Sequence, residues 1–269
     1  MGYQHLDIER DGAVATLWLN RPEKLNAMSS DIWEDIPVAM AEIDADETAR
    51  VVVLVGRGKA FSVGIDVGLL ANLQPGPGSP AESNQKLFRT IKRLQQTASC
   101  LADSPKPVIA AVHGYCLGGG MALATACDIR LAAADSVFSV RETRMGLVAD
   151  TGILQRLPAI VGPGHTAELA YTGKDIHADR ALSIGLVNDI FTDAQATLAA
   201  AVRLATEIAA SSPLVIRGIK QVLAANQGRT VEQALDFVAQ WNAAYLISND
   251  LTEAITAFFE KREPDFRGT

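Results

Sequence analysis

The first two thirds of the chain alternate between short apolar runs and longer amphipathic stretches, a pattern that predicts an α/β fold. The apolar runs have the length and composition of strands, and they lie at residues 3–9, 13–19, 51–55, 108–112 and 128–134. Residues 51–55 contain no polar side chain, so we expect this strand to be covered on both faces. Residues 128–134 place apolar side chains at every second position, which predicts a strand with one buried face.

Helical spacing of apolar residues separates these strands and dominates the last third of the chain. It predicts a helix from about Ser30, a second at about 84–103 and a short buried helix at 121–126. A Pro- and Gly-rich segment at 74–80 is interpreted as a loop of the kind that forms a flap.

From residue 152 the pattern is mostly helical, and a single apolar stripe runs through 231–247. The composition changes near residue 200. We therefore predict a core at 1–200 and a helical C-terminal region at 201–269.

Charge and cysteine content narrow the class of protein. The chain has 24 Lys plus Arg and 31 Asp plus Glu, a net charge of −7, so a nucleic-acid partner is not expected. The 3 cysteines show no CxxC spacing, which favours a reducing compartment. The N-terminal residues carry no apolar signal core, and the long apolar stretch at 107–127 contains His113 and three glycines. We interpret that stretch as strand, turn and helix, and we expect a cytoplasmic protein without a membrane partner.

Three glycines at 118–120 join the strand at 108–112 to the helix at 121–126. Backbone N–H groups at a helix N-terminus carry partial positive charge, and such groups can stabilise a developing oxyanion. The alternative interpretation is that the glycines only let the strand and the helix pack closely. Gly64, which follows the strand at 51–55, is likewise either a turn residue or a point where a ligand approaches the backbone.

Two carboxylates, Glu142 and Asp150, lie on either side of Gly146. If the chain folds back at Gly146, both reach one pocket, where burial and mutual repulsion separate their titrations. Such a pair can remove a proton at one atom and donate one at another. The alternative is that Glu142 pairs with a neighbouring arginine at the surface and that Asp150 caps the following helix. Spacing alone leaves both interpretations open.

The other reactive side chains lack partners at a recognisable spacing. The four histidines share no metal-ligand pattern, so no metal site is predicted, and His113 is interpreted as a packed residue. No cysteine has an evident His partner that would activate it as a nucleophile. A basic strip on the helix at 84–103 is either a solvated face or a polyanion-binding surface. This basic strip consists of Lys86, Arg89, Lys92 and Arg93.

In this order, the motifs resemble the enoyl-CoA hydratase/isomerase (crotonase) family over nearly the whole chain. The matching segments are RPEKLNAM at 21–28, KAFSVGID at 59–66, KPVIAAVHGYCLGGG at 106–120, ACDIRLAAADSVFSVRE at 126–142, GLVADTGILQRLPAIVG at 146–162 and EKREPDFRG at 260–268. The resemblance implies a crotonase-like spiral of ββα repeats. It also implies that the C-terminal helical region packs on the core and on neighbouring subunits, in a homotrimer or a hexamer (dimer of trimers).

The resemblance further implies an acyl-CoA thioester substrate and no separate cofactor, because coenzyme A is part of the substrate. The backbone N–H groups of Ile65 and Gly119 fall at the family's oxyanion hole, which holds the thioester oxygen. The positions that fall along the coenzyme and the acyl group are Lys24, Leu25, Ala27, Lys59, Val63, Gly64, Ile65, Asp66, Gly119 and Gly120.

Within this family, the positions of the carboxylates differ between enzymes that catalyse different reactions. Hydratases use two glutamates, which fall here at Ala122 and Glu142, so half of that pair is missing. The segment VRETRMGLVADTGILQRLP at 140–158 instead resembles the Δ3,5-Δ2,4-dienoyl-CoA isomerases, whose proton-shuttling pair falls on Glu142 and Asp150. Those enzymes carry a further acid at the position of Ala122. The resemblance therefore implies isomerisation of a 3,5- to a 2,4-dienoyl-CoA.

Three other activities stay open on the sequence. The first is an enoyl-CoA hydratase that adds water to a 2-enoyl-CoA. The second is simple double-bond migration by a single carboxylate. The third, outside enzymes, is a crotonase-like RNA-binding protein that uses the basic strip, although the net negative charge weighs against it.

Overall fold

The computed structural model describes residues 2–71 and 78–269, and its α/β architecture confirms the predicted fold class. The strands are β1 (Leu6–Asp11), β2 (Val14–Leu19), β3 (Val51–Gly56), β4 (Val108–Val112), β5 (Tyr115–Leu117), β6 (Ile129–Ala133), β7 (Val137–Ser139), β8 (Ile176–His177) and β9 (Asp189–Phe191). The helices are α1 (Ser30–Ala45), α2 (Val67–Ala71), α3 (Pro80–Asp103), α4 (Gly119–Ala126), α5 (Ile153–Thr172), α6 (Ala178–Ser183), α7 (Ala194–Ala209), α8 (Pro213–Ala225), α9 (Val231–Tyr245) and α10 (Asn249–Glu260).

The main sheet has the strand order β1-β2-β3-β4-β6-β9. Only β1 and β2 pair in antiparallel fashion, and the other neighbours are parallel. Alternate residues of β3 enter two separate cores. Val53 belongs to the core that contains Ala201 of α7, whereas Leu54 belongs to the core that contains Ile36 of α1. The predicted burial of this strand on both faces is therefore confirmed.

The prediction of only one buried face for the strand at 128–134 is wrong. Residues 130–133 of β6 are all buried, because β6 lies inside the sheet between β4 and β9 and α7 packs against it. Arg130 is accommodated there by donating hydrogen bonds to the carbonyls of Leu186 at 2.8 Å and Cys127 at 2.6 Å. A polar residue in the alternating pattern thus lies in the interior, with its Nε and Nη1 hydrogen-bonded to backbone carbonyls.

A second sheet, of order β5-β7-β8, was not predicted. Its strands have 3, 3 and 2 residues, which is too short for periodicity to reveal them. β5 leads directly into the glycines at 118–120, and α4 begins at Gly119, two residues before its predicted start. This small sheet therefore sets the position at which α4 begins.

Helix α3 begins at Pro80, before the predicted start, because a capping box precedes it. Ser79 Oγ accepts a hydrogen bond from the Glu82 N–H at 3.3 Å, and the Glu82 carboxylate accepts one from the Ser79 N–H at 2.8 Å. The loop interpreted as a flap, at 74–80, lies outside the described residues from 74 to 77.

Helix α7 crosses residue 200 and packs against β3, β4 and β6 of the main sheet. The predicted division into regions at 1–200 and 201–269 stays a prediction. The apolar stripe predicted through 231–247 lies on the surface of the chain, since α9 has no buried residue. The large apolar side chains exposed on and beside α9 and α10 are Val231, Leu235, Tyr245, Leu246, Ile247, Leu251, Ile255, Phe258 and Phe259. Within the described ranges, no single helix combines the length and hydropathy of a membrane span, although α7 and α8 do so together as a pair bent by 107°.

Candidate active site

The candidate site lies where the chain leaves β3 and β4, at the same end of two neighbouring parallel strands. The Ser62 N–H donates a hydrogen bond to the Tyr115 carbonyl at 2.9 Å, and the Leu117 N–H donates one to the Ser62 carbonyl at 3.0 Å. A Cβ at Gly120 would lie 2.6 Å from that same Ser62 carbonyl oxygen, so only glycine lets the start of α4 approach so closely. The glycine-containing motifs at 59–66 and 113–121 therefore meet.

Gly64 lies directly beside the first amide of α4. It has a φ of +86°, and a Cβ there would lie 2.8 Å from the Gly119 nitrogen. Among the described residues, none accepts a hydrogen bond from the N–H of Ile65 or of Gly119. Because Gly119 is the first residue of α4, its N–H also carries the positive end of the helix dipole. The glycines therefore allow close packing and also leave two neighbouring donors for an anionic oxygen.

Glu142 lies on a 3-10 helix at Arg141–Met145, and its side chain lies beside Gly118, just before α4. A Cβ at Gly118 would lie 3.4 Å from the Glu142 Oε1. The Oε2 of the same carboxyl is buried and has no hydrogen-bond partner within the described part of the chain. Burial raises the pKa of Glu142, and the charge of Asp150 raises that pKa further. A carboxylate in this environment is a stronger base than an exposed one.

The chain folds back at Gly146, which brings Asp150 towards Glu142. Gly146 has a φ of +73°, and the Leu147 N–H donates a hydrogen bond to the Glu142 carbonyl at 3.2 Å. Asp150 is half-buried, and this partial burial raises the pKa of its own carboxyl. The Asp150 backbone carbonyl accepts a hydrogen bond from Gln95 Nε2 of α3 at 2.8 Å, which anchors the loop. Two carboxyl groups with raised pKa values thus lie in one region.

The alternative interpretation, in which Glu142 pairs with a neighbouring arginine at the surface and Asp150 caps the following helix, is wrong for both residues. Arg141 pairs with Asp175 at 2.6 Å rather than with Glu142. Helix α5 has Gly152 as its N-cap, with no capping hydrogen bond from a side chain, so Asp150 does not cap it.

Ala122 lies one turn after Gly118 in α4, and its N–H donates a hydrogen bond to the Gly118 carbonyl at 3.0 Å. The side chain is fully buried. The position where the resemblance implies a further acid therefore carries a methyl group in an apolar helix.

Apart from Gly119 and Gly120 of α4, the residues predicted to contact the coenzyme and the acyl group lie on the loop before α1 and on the segment after β3. The Val63 N–H donates a hydrogen bond to the Leu25 carbonyl at 3.1 Å, and the Met28 N–H donates one to the Gly64 carbonyl at 2.8 Å. The two stretches therefore run side by side, and Ala27 of the first stretch is half-buried. The exposed cations beside them are Lys24 and Lys59.

Asp66 is held by Arg21, a residue that the sequence did not single out. Arg21 Nη1 donates hydrogen bonds to Asp66 Oδ2 at 2.7 Å and to the Ala27 carbonyl at 3.0 Å. Hydrogen bonding from Arg21 and from the Gly68 N–H lowers the pKa of Asp66. This carboxylate therefore ties the loop before α1 to the segment after β3. Sequence reasoning also missed the buried Asn26 and Ser62 at this junction.

The other candidates from the sequence are occupied by structural contacts or exposed. His113 is buried with Nε2 at 3.2 Å from the Gly58 carbonyl, and burial lowers its pKa, as suits a packed residue. All four side chains of the basic strip are exposed, and Arg93 pairs with Glu34 at 3.2 Å. Burial raises the pKa of Cys100 to about 12, which disfavours the thiolate. In the part of the chain described, no three His, Cys, Asp or Glu side chains are grouped to hold a metal ion.

The burial of the Glu142 carboxyl has a consequence for stability. A carboxyl with a higher pKa in the folded than in the unfolded state binds its proton more tightly when folded. Its contribution is therefore most favourable below the unfolded pKa of about 4.3 and becomes less favourable as the pH rises through the folded pKa. We expect Glu142→Gln to raise the Tm by about 1–3 °C at about pH 7, and by less at about pH 4, in calorimetric scans.

Glu168→Gln is the matched control for this stability effect. A hydrogen bond from Lys174 lowers the pKa of Glu168, so ionised Glu168 favours folding at neutral pH and this contribution is lost at low pH. Glu168→Gln is expected to lower the Tm at about pH 7. A decrease of the same sign for Glu142→Gln would contradict the assignment of an unfavourable buried charge at Glu142.

Comparison with known proteins places these features in one family. Residues 9–269 match the model of the enoyl-CoA hydratase/isomerase family. The chain is 41% identical over 269 residues to the mitochondrial Δ(3,5)-Δ(2,4)-dienoyl-CoA isomerase of Dictyostelium discoideum, with 98% of this chain and 92% of that protein covered. It is 41% identical over 270 residues to the peroxisomal Δ(3,5)-Δ(2,4)-dienoyl-CoA isomerase of Arabidopsis thaliana, covering 98% and 97%. The cytoplasmic location expected for this chain stays a prediction.

Hydratases are similar over the same length at lower identity. The crotonyl-CoA hydratase of Syntrophomonas wolfei is 34% identical over 270 residues, with 99% of each protein covered. Among solved structures, the enoyl-CoA hydratase from Bacillus anthracis superimposes with a TM-score of 0.91 at 29% identity, covering 99% of this chain and 100% of that one. The crotonase fold implied by the sequence motifs is confirmed by this match. Because the family model spans almost the entire chain and full-length relatives share a third or more of its residues, this protein belongs to the enoyl-CoA hydratase/isomerase family.

Proposed function

We propose that the protein isomerises a 3,5-dienoyl-CoA thioester to the 2,4-dienoyl-CoA. The observation that carries the proposal is the placement of Glu142 and Asp150, two carboxyls with raised pKa values, in the region of two backbone N–H groups that have no acceptor among the described residues. Higher identity to the isomerases than to the hydratase supports it. The reaction belongs to fatty acid metabolism.

The thioester oxygen accepts hydrogen bonds from the N–H groups of Ile65 and Gly119. A proton on the carbon next to a thioester becomes removable only when the resulting enolate oxygen is stabilised, and one such donor can contribute about 3 kcal/mol. Burial of Gly64 and of all of α4 lowers the local dielectric, which strengthens both hydrogen bonds.

The two carboxyls relocate one proton. Ionised Glu142 takes the proton from C2, and the electron pair spreads over the conjugated system as a dienolate. Protonated Asp150 then donates a proton to C6, and the double bonds move to the 2 and 4 positions. The substrate loses and gains one proton, so the reaction consumes no redox equivalent. Glu142 is assigned to C2 because the matching residue of the hydratases acts at that end.

Coenzyme A lies along the two stretches that run side by side, from Leu25 and Ala27 to Val63, Gly64 and Asp66. The exposed ammonium groups of Lys24 and Lys59 are suited to the phosphates of the coenzyme. Gly120 keeps α4 close to the acyl end of this path.

The proposal is tested by mixing the purified protein with 3,5-octadienoyl-CoA and following the ultraviolet absorbance of the conjugated 2,4-product. Crotonyl-CoA hydration is measured in parallel, because Glu142 matches one of the two hydratase glutamates. Isomerisation that exceeds hydration supports the proposal. No isomerisation at micromolar enzyme, together with rapid hydration, would assign the protein as a hydratase in spite of Ala122.

We further propose a homotrimer or a hexamer, held together in part by the helical region at 201–269. The support is the row of apolar side chains that a single chain leaves exposed on α9 and α10, among them Leu235 at 61% and Phe258 at 78% exposure. Single exposed apolar residues are common on any protein surface, whereas a row of them is typical of a protein–protein interface. We expect sedimentation velocity to give three or six chain masses.

Leu235→Glu and Phe258→Glu together are expected to shift this distribution towards single chains, because they place charge in the apolar contact. Val38→Glu is the control, since Val38 is an equally exposed apolar residue, at 58%, on α1. A wild-type protein that sediments as one chain contradicts the proposal.

A further inference from the structure

Ser62 belongs to the segment at 59–66, which carries the Ile65 N–H, and it is fully buried where this segment meets the one at 113–121. Its Oγ–H donates a hydrogen bond to the Asn26 carbonyl at 2.8 Å. A hydroxyl has one proton and two lone pairs, so this bond leaves a lone pair to accept from the Gly64 N–H, which lies at 3.1 Å. The hydroxyl therefore orients the peptide unit immediately before the Gly64–Ile65 peptide.

The Gly64–Ile65 peptide is also held at its carbonyl end. The Gly64 carbonyl accepts a hydrogen bond from the Met28 N–H at 2.8 Å. In a trans peptide the C=O and the N–H point in opposite directions, and the described residues contain no cis peptide. The N–H of Ile65 therefore points away from Met28. With the Gly64 N–H held by Ser62 and the Gly64 carbonyl held by Met28, the direction of the Ile65 N–H has little freedom.

Asn26, whose carbonyl accepts the hydrogen bond from Ser62, is itself held by several hydrogen bonds. It is fully buried and has a left-handed backbone, with a φ of +55°. Its Oδ1 accepts a hydrogen bond from the Arg21 N–H at 2.8 Å, and its Nδ2 donates to the carbonyls of Arg57 at 2.9 Å and Ala60 at 2.7 Å. One side chain thus ties the loop before α1 to the turn after β3. The Asn26 carbonyl is held in place as the acceptor for Ser62.

We propose that Asn26 and Ser62 are positioning residues that fix the direction of the Ile65 N–H before a thioester binds. The inference rests on the proposed function, because it assigns the Ile65 N–H to the thioester oxygen. Neither side chain touches the substrate in this proposal. Their effect is preorganisation, since a donor that is already aligned loses no energy to reorientation when charge develops on the oxygen.

A purely structural role would give a different result. If the Ser62 hydroxyl only stabilised the fold, its removal would lower the Tm without changing how a bound thioester is polarised. A conjugated probe, 4-(dimethylamino)cinnamoyl-CoA, distinguishes the two roles. Its absorbance moves to longer wavelength when hydrogen bonds polarise its carbonyl, and this shift is independent of isomerase turnover.

The experiment compares wild type, Ser62→Ala and the control Ser136→Ala. Ser136 is also fully buried, and its Oγ donates one hydrogen bond to a carbonyl, that of Val112 at 3.2 Å. We expect Ser62→Ala to lower kcat about tenfold with KM nearly unchanged, and to reduce the red shift of the bound probe by about half. Ser136→Ala is expected to leave both readouts at the wild-type level.

A wild-type red shift in Ser62→Ala overturns the inference, as does a loss of red shift in Ser136→Ala of the same size as in Ser62→Ala. Failure of the proposed function is seen separately. If the wild type does not isomerise 3,5-octadienoyl-CoA but still shifts the probe, and Ser62→Ala loses that shift, the positioning role stands without the reaction. If the wild type does not shift the probe at all, the positioning role is rejected.

Discussion

Glu142→Gln and Asp150→Asn are each expected to lower kcat for 3,5-octadienoyl-CoA by about 10³-fold, with KM changed by less than about threefold. Each amide keeps the size and polarity of its side chain but cannot exchange the proton at its end of the acyl group. Because both ends must react for one turnover, the double variant is expected to be no slower than the slower single variant. Steady-state absorbance assays at high enzyme concentration measure all three.

Glu168→Gln serves as the control for loss of a carboxylate and is expected to keep the wild-type kcat. A large loss for Glu142→Gln with no loss for Asp150→Asn would contradict the two-carboxyl shuttle. That outcome would favour double-bond migration by a single carboxylate. Retained crotonyl-CoA hydration in Asp150→Asn, beside lost isomerisation, agrees with the assignment of Asp150 to the distal carbon.

The residual activity of Asp150→Asn carries a pH signature. The charge of ionised Asp150 raises the pKa of Glu142, but Asp150 is protonated in the reactive form of the proposed mechanism, so this charge does not act there. The base must be ionised to take the proton from C2, and kcat/KM therefore falls on the acid side as Glu142 becomes protonated. We expect the acid limb of the kcat/KM profile to stay in place in Asp150→Asn, and the alkaline limb, which reports ionisation of the Asp150 acid, to be lost.

Gly64→Ala is expected to lower kcat/KM by about 10²–10³-fold. The new Cβ would lie 2.8 Å from the Gly119 nitrogen and 2.6 Å from the Leu117 carbonyl oxygen, and both of these are backbone atoms. The methyl group therefore displaces the start of α4 or covers the Gly119 N–H, and either change removes one donor from the thioester oxygen. Kinetic assays and the red shift of the bound cinnamoyl probe measure the effect.

Gly228→Ala separates this steric effect from backbone strain. Gly228 has a φ of +72°, close to the +86° of Gly64, but no atom lies within 4 Å of a Cβ built on it. Both variants carry the cost of a left-handed alanine, about 1 kcal/mol. If Gly64→Ala keeps a kcat/KM within about threefold of Gly228→Ala, the Gly119 N–H is not the donor that the proposed function requires.

The longer strands and helices could be predicted because the spacing of apolar residues extends over enough positions in each of them. The all-apolar run at 51–55 predicted a strand buried on both faces, and β3 is one. The helix predicted from about Ser30 begins there as α1. The short strands β5, β7 and β8 were missed because two or three residues cannot show a period. The burial of β6 was missed because it depends on α7, a helix about sixty residues further along the chain.

By itself, the sequence determined the family, the order of the longer elements and the two glycine-containing segments where backbone donors were expected. Only the tertiary structure decided where the side chains of Glu142 and Asp150 lie. Their spacing along the chain was equally compatible with a surface ion pair and a helix cap, because separation in sequence does not define separation in space. The left-handed turn at Gly146 and the hydrogen bond from Gln95 of α3 bring the two carboxyls into one region. The same holds for the peptide that carries the Ile65 N–H. Its carbonyl, that of Gly64, accepts a hydrogen bond from Met28, which lies far away in the chain, and no local pattern encodes this contact.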